Sequence, residues 1–256
     1  MKIYSLLILF SLLVTSCKID SSDEPSCFSD SFDNAQTIND LFPDNESQWS
    51  YKQITREANY LDVDTAFGHY ASGSVHFVAA PSDAEGASKC SINKQFMAFR
   101  EGHVFHMSAW YYISGTEKRD YLFIFDLEEK AVVGAGPGMR LALVGSSGWL
   151  EVEHKYNQPN IRQKEGSEIS FPRNEWVHVE METLLSKKDK GYVKVWQNGT
   201  LILEQYNWQT LPRDFLYFQQ GTKGEYDSVE FGISANSHDG NTELWVDDIE
   251  VWTSSQ

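Results

Sequence analysis

Alternation of apolar and polar residues with a period of two runs through most of this chain and restricts it to β structure. Helical periodicity is almost absent, and the alternating runs are bounded by Gly, Asn, Asp and Pro. Roughly a dozen strands without helices predict an all-β fold, a two-sheet antiparallel sandwich over residues 27–256. The predicted strands are Cys27–Phe32, Val75–Ala79, Phe96–Arg100, His103–Ser114, Tyr121–Asp126, Met139–Val144, Leu150–Tyr156, Glu175–Leu185, Tyr192–Trp196, Thr200–Gln205, Ser228–Ala235 and Glu243–Trp252.

The segment "VKVWQNGTLIL" carries the clearest turn signal. Its Asn-Gly pair at 198–199 stands between two apolar alternating runs, and a type I′ hairpin turn needs residues that tolerate positive φ at both central positions. Trp196 is then expected opposite Leu201. Val195 is expected opposite Ile202. Because both faces of this hairpin are apolar, we expect it to lie near the middle of a sheet.

The N-terminal residues predict export and anchoring rather than folded structure. Lys2 precedes an apolar run, Tyr4–Val14, which is too short to span a bilayer but suits the hydrophobic region of a signal peptide. The run closes on "LVTSC", which resembles the bacterial lipobox and implies that Cys17 is the lipid attachment point. We therefore expect a lipoprotein signal peptide over 1–16 and an acidic tether over 17–26.

The acidic residues of the tether resemble the surface-export signal of Bacteroidota lipoproteins. That resemblance implies an outer-membrane lipoprotein exposed at the cell surface, attached to the membrane by its N-terminal lipid. The alternative is an ordinary secretory signal followed by an unrelated cysteine.

Two cysteines remain beyond the lipid site, Cys27 and Cys90. In an oxidising compartment an even pair can form one disulfide, which would tie the N-terminal strand to a neighbour. The alternative is two free buried cysteines. No CxxC spacing or His-rich tract accompanies them, so the sequence does not favour a zinc or thioredoxin-like site.

The formal net charge of −16 argues against nucleic acid as a partner, and the lack of basic clusters agrees. A polyanionic glycan would also be repelled unless a cation or a local basic patch intervened. Aromatic residues make up 14% of the chain, an excess that in an exported domain indicates either a thick core or platforms that stack on sugars. We expect a monomer.

Three predicted strands pair a dry face with a mixed aromatic and polar face. In "HVFHMSAWYYIS" the core phase runs from Phe105 to Ile113, and the core phases of "EWVHVEMETL" and "GMRLALV" are equally apolar. Such strands are typical of a sheet with an open concave side that accepts a ligand; the alternative is an outer face that is merely wet. The opposite phases hold His106, Trp110, Tyr112, Arg140, Trp176, His178 and Glu180.

Two segments, "RNEWVHVEMETLLSKKDKGYVKVWQNGTLILEQ" and "SVEFGISANSHDGNTELWVDDIEVW", resemble concanavalin A-like domains, which include laminin-G-like modules and the jelly-roll polysaccharide lyases. The resemblance implies a jelly-roll sandwich that handles carbohydrate. Our leading interpretation is a protein that binds a poly- or oligosaccharide on the concave face. Its stacking platforms would be Trp110, Tyr112 and Trp176, with His106, Arg140, His178 and Glu180 as hydrogen-bonding groups.

The alternative interpretation is a polysaccharide lyase that acts by β-elimination on a uronate-containing glycan at the same face. His106 or Tyr112 would then be the base, and Arg140 would neutralise the uronate. The segment "YFQQG" at 217–221 resembles the "YFKAGxY" motif of alginate lyases, but Gln219 replaces its Lys and the other motifs of that family are missing. A third possibility is a structural or adhesive surface protein without a sugar site.

Two aspartates stand in apolar phases. Asp247 in "ELWVDDIEVW" shares a phase with Trp245 and Ile249, and Asp30 is in phase with its phenylalanine neighbours. A carboxylate in an apolar phase must be paired, hydrogen-bonded or bound to a metal. Domains of the type resembled often hold a structural calcium ion where the first and last strands meet, so we expect Ca²⁺ near Asp30, Asp33 and Asp247. The alternative is aspartates bonded to backbone groups at turns.

Overall fold

The computed structural model of the protein describes residues 26–45, 47–70, 73–129, 136–145, 148–155, 159–212 and 224–255. The signal peptide over 1–16 and all but the last residue of the tether over 17–26 lie outside these ranges, as does Cys17, so the lipid anchor stays a prediction. Within the described ranges, no helix has the length and apolar character required to cross a membrane.

Fourteen strands in the described residues form two antiparallel sheets, which confirms the predicted jelly-roll sandwich. A single turn of 3-10 helix follows the first strand at Ile38–Leu41. The strands are β1 (Cys27–Asp30), β2 (Tyr51–Ile54), β3 (Tyr60–Asp64), β4 (Ser74–Ala79), β5 (Cys90–Lys94), β6 (His103–Ile113), β7 (Tyr121–Glu128), β8 (Gly138–Val144), β9 (Trp149–His154), β10 (Trp176–Leu184), β11 (Gly191–Gln197), β12 (Thr200–Trp208), β13 (Ser228–Ala235) and β14 (Thr242–Ser255).

The larger sheet has the order β12-β11-β10-β6-β14-β4-β3, and β1 pairs with β14 as its eighth strand. The smaller sheet has the order β2-β5-β13-β7-β8-β9. β6 lies in the larger sheet and β8 in the smaller one, although both strands show the same alternation in the sequence. Each sheet therefore has its own outer face, and the two outer faces lie on opposite sides of the sandwich.

The core fills the space between the sheets. Phe105 of β6 and Phe125 of β7 are fully buried and stack with ring centroids 6.3 Å apart. Burial of one such side chain contributes roughly 1.5–3 kcal/mol. The predicted core phase of β6 is confirmed, since Met107, Tyr111 and Ile113 are buried with Phe105.

The sequence missed three short strands, and one predicted strand is wrong. β2 and β3 lie at the sheet edges, and their mixed composition hides the alternation. β5 was missed because Ser91 and Asn93 interrupt its apolar character. The predicted strand at Phe96–Arg100 is reduced to a single bridge between Phe99 and Tyr226.

The predicted hairpin turn has the expected geometry, with φ of 49° at Asn198 and 72° at Gly199. Trp196 lies opposite Leu201 as predicted, but a bulge places Val195 opposite Leu203, so the predicted pairing with Ile202 is wrong. The hairpin also lies at the edge of the larger sheet rather than near its middle. Its apolar outer residues are partly exposed as a result.

The predicted disulfide between Cys27 and Cys90 is wrong, because Cys90 is a free thiol. Cys27 begins a strand of the larger sheet, whereas Cys90 begins a strand of the smaller one. The Cys90 Sγ donates to the carbonyl oxygen of Tyr60 at 3.0 Å. Burial raises the pKa of Cys90 to about 12, so the thiol stays protonated.

The first and last strands pair as expected, and Asp30 lies opposite Ile249. A bulge after Asp247 shifts the phase of β14, so Asp247 points outward beside Trp245 and not inward with Ile249 as the sequence suggested. Its two carboxylate oxygens accept the backbone N–H groups of His69 at 2.6 Å and of Asp248 at 2.7 Å.

Asp30 is bonded in the same manner, to the backbone N–H of Phe32 at 2.9 Å and the indole N–H of Trp49 at 2.8 Å. Asp33 accepts the backbone N–H of Gly73 at 3.3 Å. Among the described residues, no three His, Cys, Asp or Glu side chains are grouped to hold a metal ion. Burial and the nearby charges of Asp248 and Asp33 nevertheless raise the pKa of Asp247 to about 7. A bound cation would offset this repulsion, and calcium here stays a prediction.

Calcium held by Asp30, Asp33 and Asp247 is expected to stabilise the fold, because it binds only the folded state. A chelator should then lower the melting temperature by about 5 °C or more, and Asp247→Asn should abolish that shift. The exposed Asp44→Asn variant is the matched control and should behave as the wild type. Identical melting curves with and without chelator would show that the calcium prediction is wrong.

Candidate functional site

The predicted sugar platforms lie together on the outer face of the larger sheet. Tyr112 of β6 is flanked by Trp245 of β14 and by Trp176 of β10. Trp110 lies opposite His178 on the same face, and Glu180 follows two positions along β10. We call Trp110, Tyr112, Trp176, His178 and Trp245 the aromatic face; all five are half-buried.

A loop over 65–70 covers part of the aromatic face. The His69 ring stacks on Trp110 with centroids 3.4 Å apart, and Phe67 stacks on Trp176 at 5.4 Å. His178 also stacks on Trp110, at 4.8 Å. Phenyl and imidazole rings of the protein thus occupy indole surfaces that a sugar would otherwise use.

The predicted catalytic group of His106, Tyr112 and Arg140 does not converge, so that grouping is wrong. His106 and Tyr112 are six residues apart on β6, roughly 20 Å at strand spacing. Arg140 lies on β8, in the other sheet. Periodicity indicates which side of a strand a residue occupies, but it does not indicate which sheet the strand joins.

A continuous row of polar residues crosses all six strands of the smaller sheet on its outer face. Each residue lies directly opposite the next one on the neighbouring strand. The centre of the row is closed to solvent, with exposures of 0–2%, while its two ends are half-buried. We call it the polar row, and it consists of Tyr51, Asn93, Glu230, Asp126, Arg140 and Glu153.

Asp126 is the charged centre of the polar row. Arg140 donates to it through Nε at 3.1 Å, and the Nζ of Lys155 contacts the same carboxylate oxygen. Lys155 also bonds Glu128 at 2.6 Å. Burial works to raise the pKa of Asp126, but the charges of Arg140 and Lys155 outweigh it and lower that pKa to about 2. Asp126 is therefore ionised at any ordinary pH.

Glu230 lies opposite Asp126, and no cation of the described residues is bonded to it. One of its oxygens, Oε1, accepts the hydroxyl of Ser91 at 2.6 Å. Burial, joined by the negative charge of Asp126, raises the pKa of Glu230 to about 7. The two neighbouring carboxyl groups thus differ in protonation across the physiological range, an arrangement found where enzymes assign acid and base roles.

Tyr51 and Asn93 extend the polar row on the other side of Glu230. The Tyr51 hydroxyl donates to Oδ1 of Asn93 at 2.9 Å, and Asn93 is fully buried. Within the part of the chain that the structure describes, the Nδ2 of Asn93 has no hydrogen-bond partner, which is costly for a buried amide and is typical of a group that awaits a ligand. Burial and then the negative charge of Glu230 raise the pKa of the Tyr51 phenol.

Sequence reasoning singled out Arg140 but missed Tyr51, Asn93, Asp126 and Glu230. A signal was present, because Glu230 in "SVEFGIS" and Asp126 in "FIFDLE" interrupt strongly apolar strands. A buried strand carries a carboxylate only where a partner or a function compensates for it. The motif-like segment at 217–221 lies outside the described residues.

The model of one protein family, described as polysaccharide lyase, matches residues 109–250 of the chain. The match runs from the second half of β6 to most of β14 and therefore includes four of the six strands that carry the polar row, namely β7, β8, β9 and β13. No curated protein matches the chain significantly.

Solved structures share the fold at low sequence identity. An endo-beta-1,4-glucuronan lyase from the fungus Trichoderma reesei is 15% identical, with 81% of this chain and 92% of that chain covered and a TM-score of 0.61. The alginate lyase Aly36B is 12% identical, with 89% and 96% covered and a TM-score of 0.57. The cellulose induced protein Cip1 is 19% identical, with 81% and 94% covered and a TM-score of 0.55.

The polar row predicts a pH dependence of stability. The pKa of Glu230 is about 7 in the folded protein against an ordinary 4.5, so its stabilising effect is complete below about pH 4.5 and is lost as pH rises through about 7. Glu230→Gln should remove this loss, a difference on the order of 3 kcal/mol between the ends of that range.

Urea denaturation across this pH range measures the effect. Glu57→Gln, at an exposed position, is the matched control and should keep the wild-type profile. If the wild type and Glu230→Gln lose stability in parallel as pH rises, the assignment of Glu230 as a protonated buried acid is wrong.

Proposed function

Because this chain belongs to the polysaccharide lyase family, we propose that it cleaves a uronate-containing polysaccharide by β-elimination at the polar row. The observation that carries the proposal is the position of Glu230, a buried carboxyl with a pKa of about 7 between an ionised Asp126 and the unpartnered amide of Asn93. The proposal assigns the reaction to the smaller sheet rather than to the aromatic face.

β-Elimination on a uronate has three chemical needs. The sugar carboxylate must accept hydrogen bonds so that the proton at C5 becomes acidic. A base must remove that proton, and an acid must protonate the leaving oxygen at C4. The electron pair of the C5–H bond forms the C4=C5 double bond as the C4–O bond breaks.

Glu230 suits the role of the general base. A general base works best when its pKa lies near the working pH, since it is then both ionised and basic enough to take a proton. Its oxygen Oε1 is held by Ser91, which leaves Oε2 to receive the C5 proton. Asp126, with its pKa of about 2, is too weak a base for this step.

Asn93 and Tyr51 suit the other two roles. The free Nδ2 of Asn93 is a donor placed to bind the uronate carboxylate without an ion pair. The phenol of Tyr51 stays protonated because its pKa is raised, so it can donate its proton to the leaving oxygen. Both side chains lie on strands next to or near Glu230, within the span of one sugar unit and its glycosidic bond.

Asp126 is a positioning residue in this mechanism. Its negative charge is secured by Arg140 and Lys155, and that charge helps to keep the pKa of Glu230 near 7. Arg140 is therefore engaged with a protein carboxylate, and we do not assign it the neutralisation of the uronate.

Variants of the polar row test the mechanism through the ultraviolet absorbance of the unsaturated product. Glu230→Gln should lower kcat by about 10²-fold or more, as expected when a general base is lost. The wild-type rate should rise with pH through an apparent pKa near 7, and Asp126→Asn should move that rise to lower pH. Tyr51→Phe and Asn93→Ala should also lose activity.

Glu57→Gln is the control at an exposed carboxyl and should keep full activity, and melting curves confirm that each variant folds. Full activity in Glu230→Gln, or its loss in His106→Gln instead, would move the reaction away from the polar row. No product from any uronate polymer tested would refute the lyase proposal.

A second candidate function is sugar binding without chemistry at the aromatic face. The observation that favours it is that Trp110, Tyr112 and Trp176 are half-buried and gathered on one surface, with His178 and Glu180 beside them as hydrogen-bonding groups. Ring edges and polar groups remain accessible there even though the loop over 65–70 covers part of the surface.

Affinity gels that contain a glycan separate the two candidates. Binding at the aromatic face predicts that Trp110→Ala and Tyr112→Ala weaken retardation about tenfold or more, whereas Glu230→Gln leaves it unchanged. Unchanged retardation in both aromatic variants would exclude this face as the sugar site. A wild type that is not retarded by any glycan would favour a structural or adhesive role.

A further inference from the structure

A pocket of about 440 Å³ lies on the same outer face as the polar row, at the β8–β9 edge of the smaller sheet. Trp149 and Glu151 line it, and they share a phase with Glu153 at the end of the polar row. Successive residues of one phase are roughly 6.6 Å apart along a strand. The pocket therefore begins one step from the polar row and ends at Trp149, a second step away.

Trp149 offers a free ring to this pocket. It is half-buried and makes no ring contact with another aromatic side chain of the described residues. Beneath it the chain turns at Gly145, where an added Cβ would lie 3.8 Å from the indole. Trp149 lines the pocket, and an indole that lines a pocket is a platform for an apolar ring face.

Hydrogen bonds within the protein hold the polar groups of the pocket in place. Glu151 is buried and accepts the amide of Asn160 at 2.9 Å and Nε of Arg162 at 3.1 Å. The Arg162 side chain is 75% exposed, and its terminal N–H groups have no partner among the described residues. Arg162 thus presents oriented donors to whatever fills the pocket.

The charge of the pocket selects against an anion. Arg162 is balanced by Glu151, and two further carboxylates, Glu165 and Glu168, also line the pocket. The formal charge of these four side chains is −2, one cation against three carboxylates. A uronate placed here would meet like charge, whereas an uncharged sugar offers hydroxyls to both kinds of group and a C–H face to Trp149.

We propose that this pocket is a subsite for an uncharged sugar residue, three strands away from the Glu230 at which the polar row cleaves a uronate, so the substrate is a mixed polymer rather than a polyuronate. The inference rests on the proposed function of the polar row. The inference adds to that function a substrate class, a polymer that contains a neutral sugar, and a residue, Trp149, that selects for this sugar.

Rates on two polymers test the proposal, one built of uronate alone and one in which uronate alternates with a neutral sugar. The wild type should cleave the mixed polymer with the higher kcat/KM. Trp149→Ala should lower kcat/KM for the mixed polymer about tenfold or more, with little change for the polyuronate, and Trp149→Phe should restore most of it. The double variant Glu165→Gln, Glu168→Gln should raise kcat/KM for the polyuronate.

Trp196→Ala is the matched control, because Trp196 is half-buried on the outer face of the other sheet. It should leave both rates unchanged. A wild type that prefers the polyuronate, or a Trp149→Ala variant that is slowed equally on both polymers, would overturn the subsite.

Fluorescence titration of the Glu230→Gln protein with neutral oligosaccharide fragments keeps this test separate from the lyase proposal. Saturable quenching that Trp149→Ala abolishes supports the subsite even where no polymer is cleaved. Cleavage without any such quenching overturns the subsite and leaves the lyase proposal standing.

Discussion

The ion pairs of Asp126 with Arg140 and Lys155 fix the electrostatics of the smaller sheet. A carboxylate in the centre of a sheet is tolerated only with such partners, and removing one partner from a buried pair typically costs about 3–5 kcal/mol. Both cations bond Asp126, so neither is left for Glu230. Burial and the neighbouring negative charge of Asp126 therefore favour the protonated form of Glu230 and raise its pKa to about 7.

The two outer faces of the sandwich differ in which side chains they carry and in how those side chains are covered and hydrogen-bonded. On the larger sheet, aromatic rings are covered by other rings from the loop over 65–70, and Trp245 is tied to that loop through Asp64 at 3.1 Å. On the smaller sheet, polar groups are buried, and the Nδ2 of Asn93 in the polar row has no hydrogen-bond partner among the described residues. On the first face the aromatic rings are packed against one another. The second face is incomplete, and incompleteness of this kind is what a ligand relieves.

Local pattern predicted the sandwich, the core phase of β6 and the turn at Asn198 and Gly199, because period-two alternation and turn chemistry are properties of neighbouring residues. Local pattern did not predict the features that depend on pairing between distant segments of the chain. Arg140 and Tyr112 have the same place in their strands' alternation, yet β8 and β6 join different sheets. The bulge after Asp247 likewise reversed a phase that the sequence alone would continue.

The polar row escaped prediction for the same reason, since Tyr51, Asn93, Glu230 and Asp126 come from four segments that meet only through sheet order. The overall charge of −16 did indicate that a polyanionic glycan would need a cation or a local basic patch in order to bind. The fold provides little help of that kind, because Arg140 and Lys155 are already paired with carboxylates. A polymer with a carboxylate on every sugar meets repulsion at each unit along this face, whereas one whose carboxylates are spaced apart meets it at the reacting unit alone. In the proposed mechanism the buried amide of Asn93 takes the place of an ion pair there, so binding would not need a basic groove.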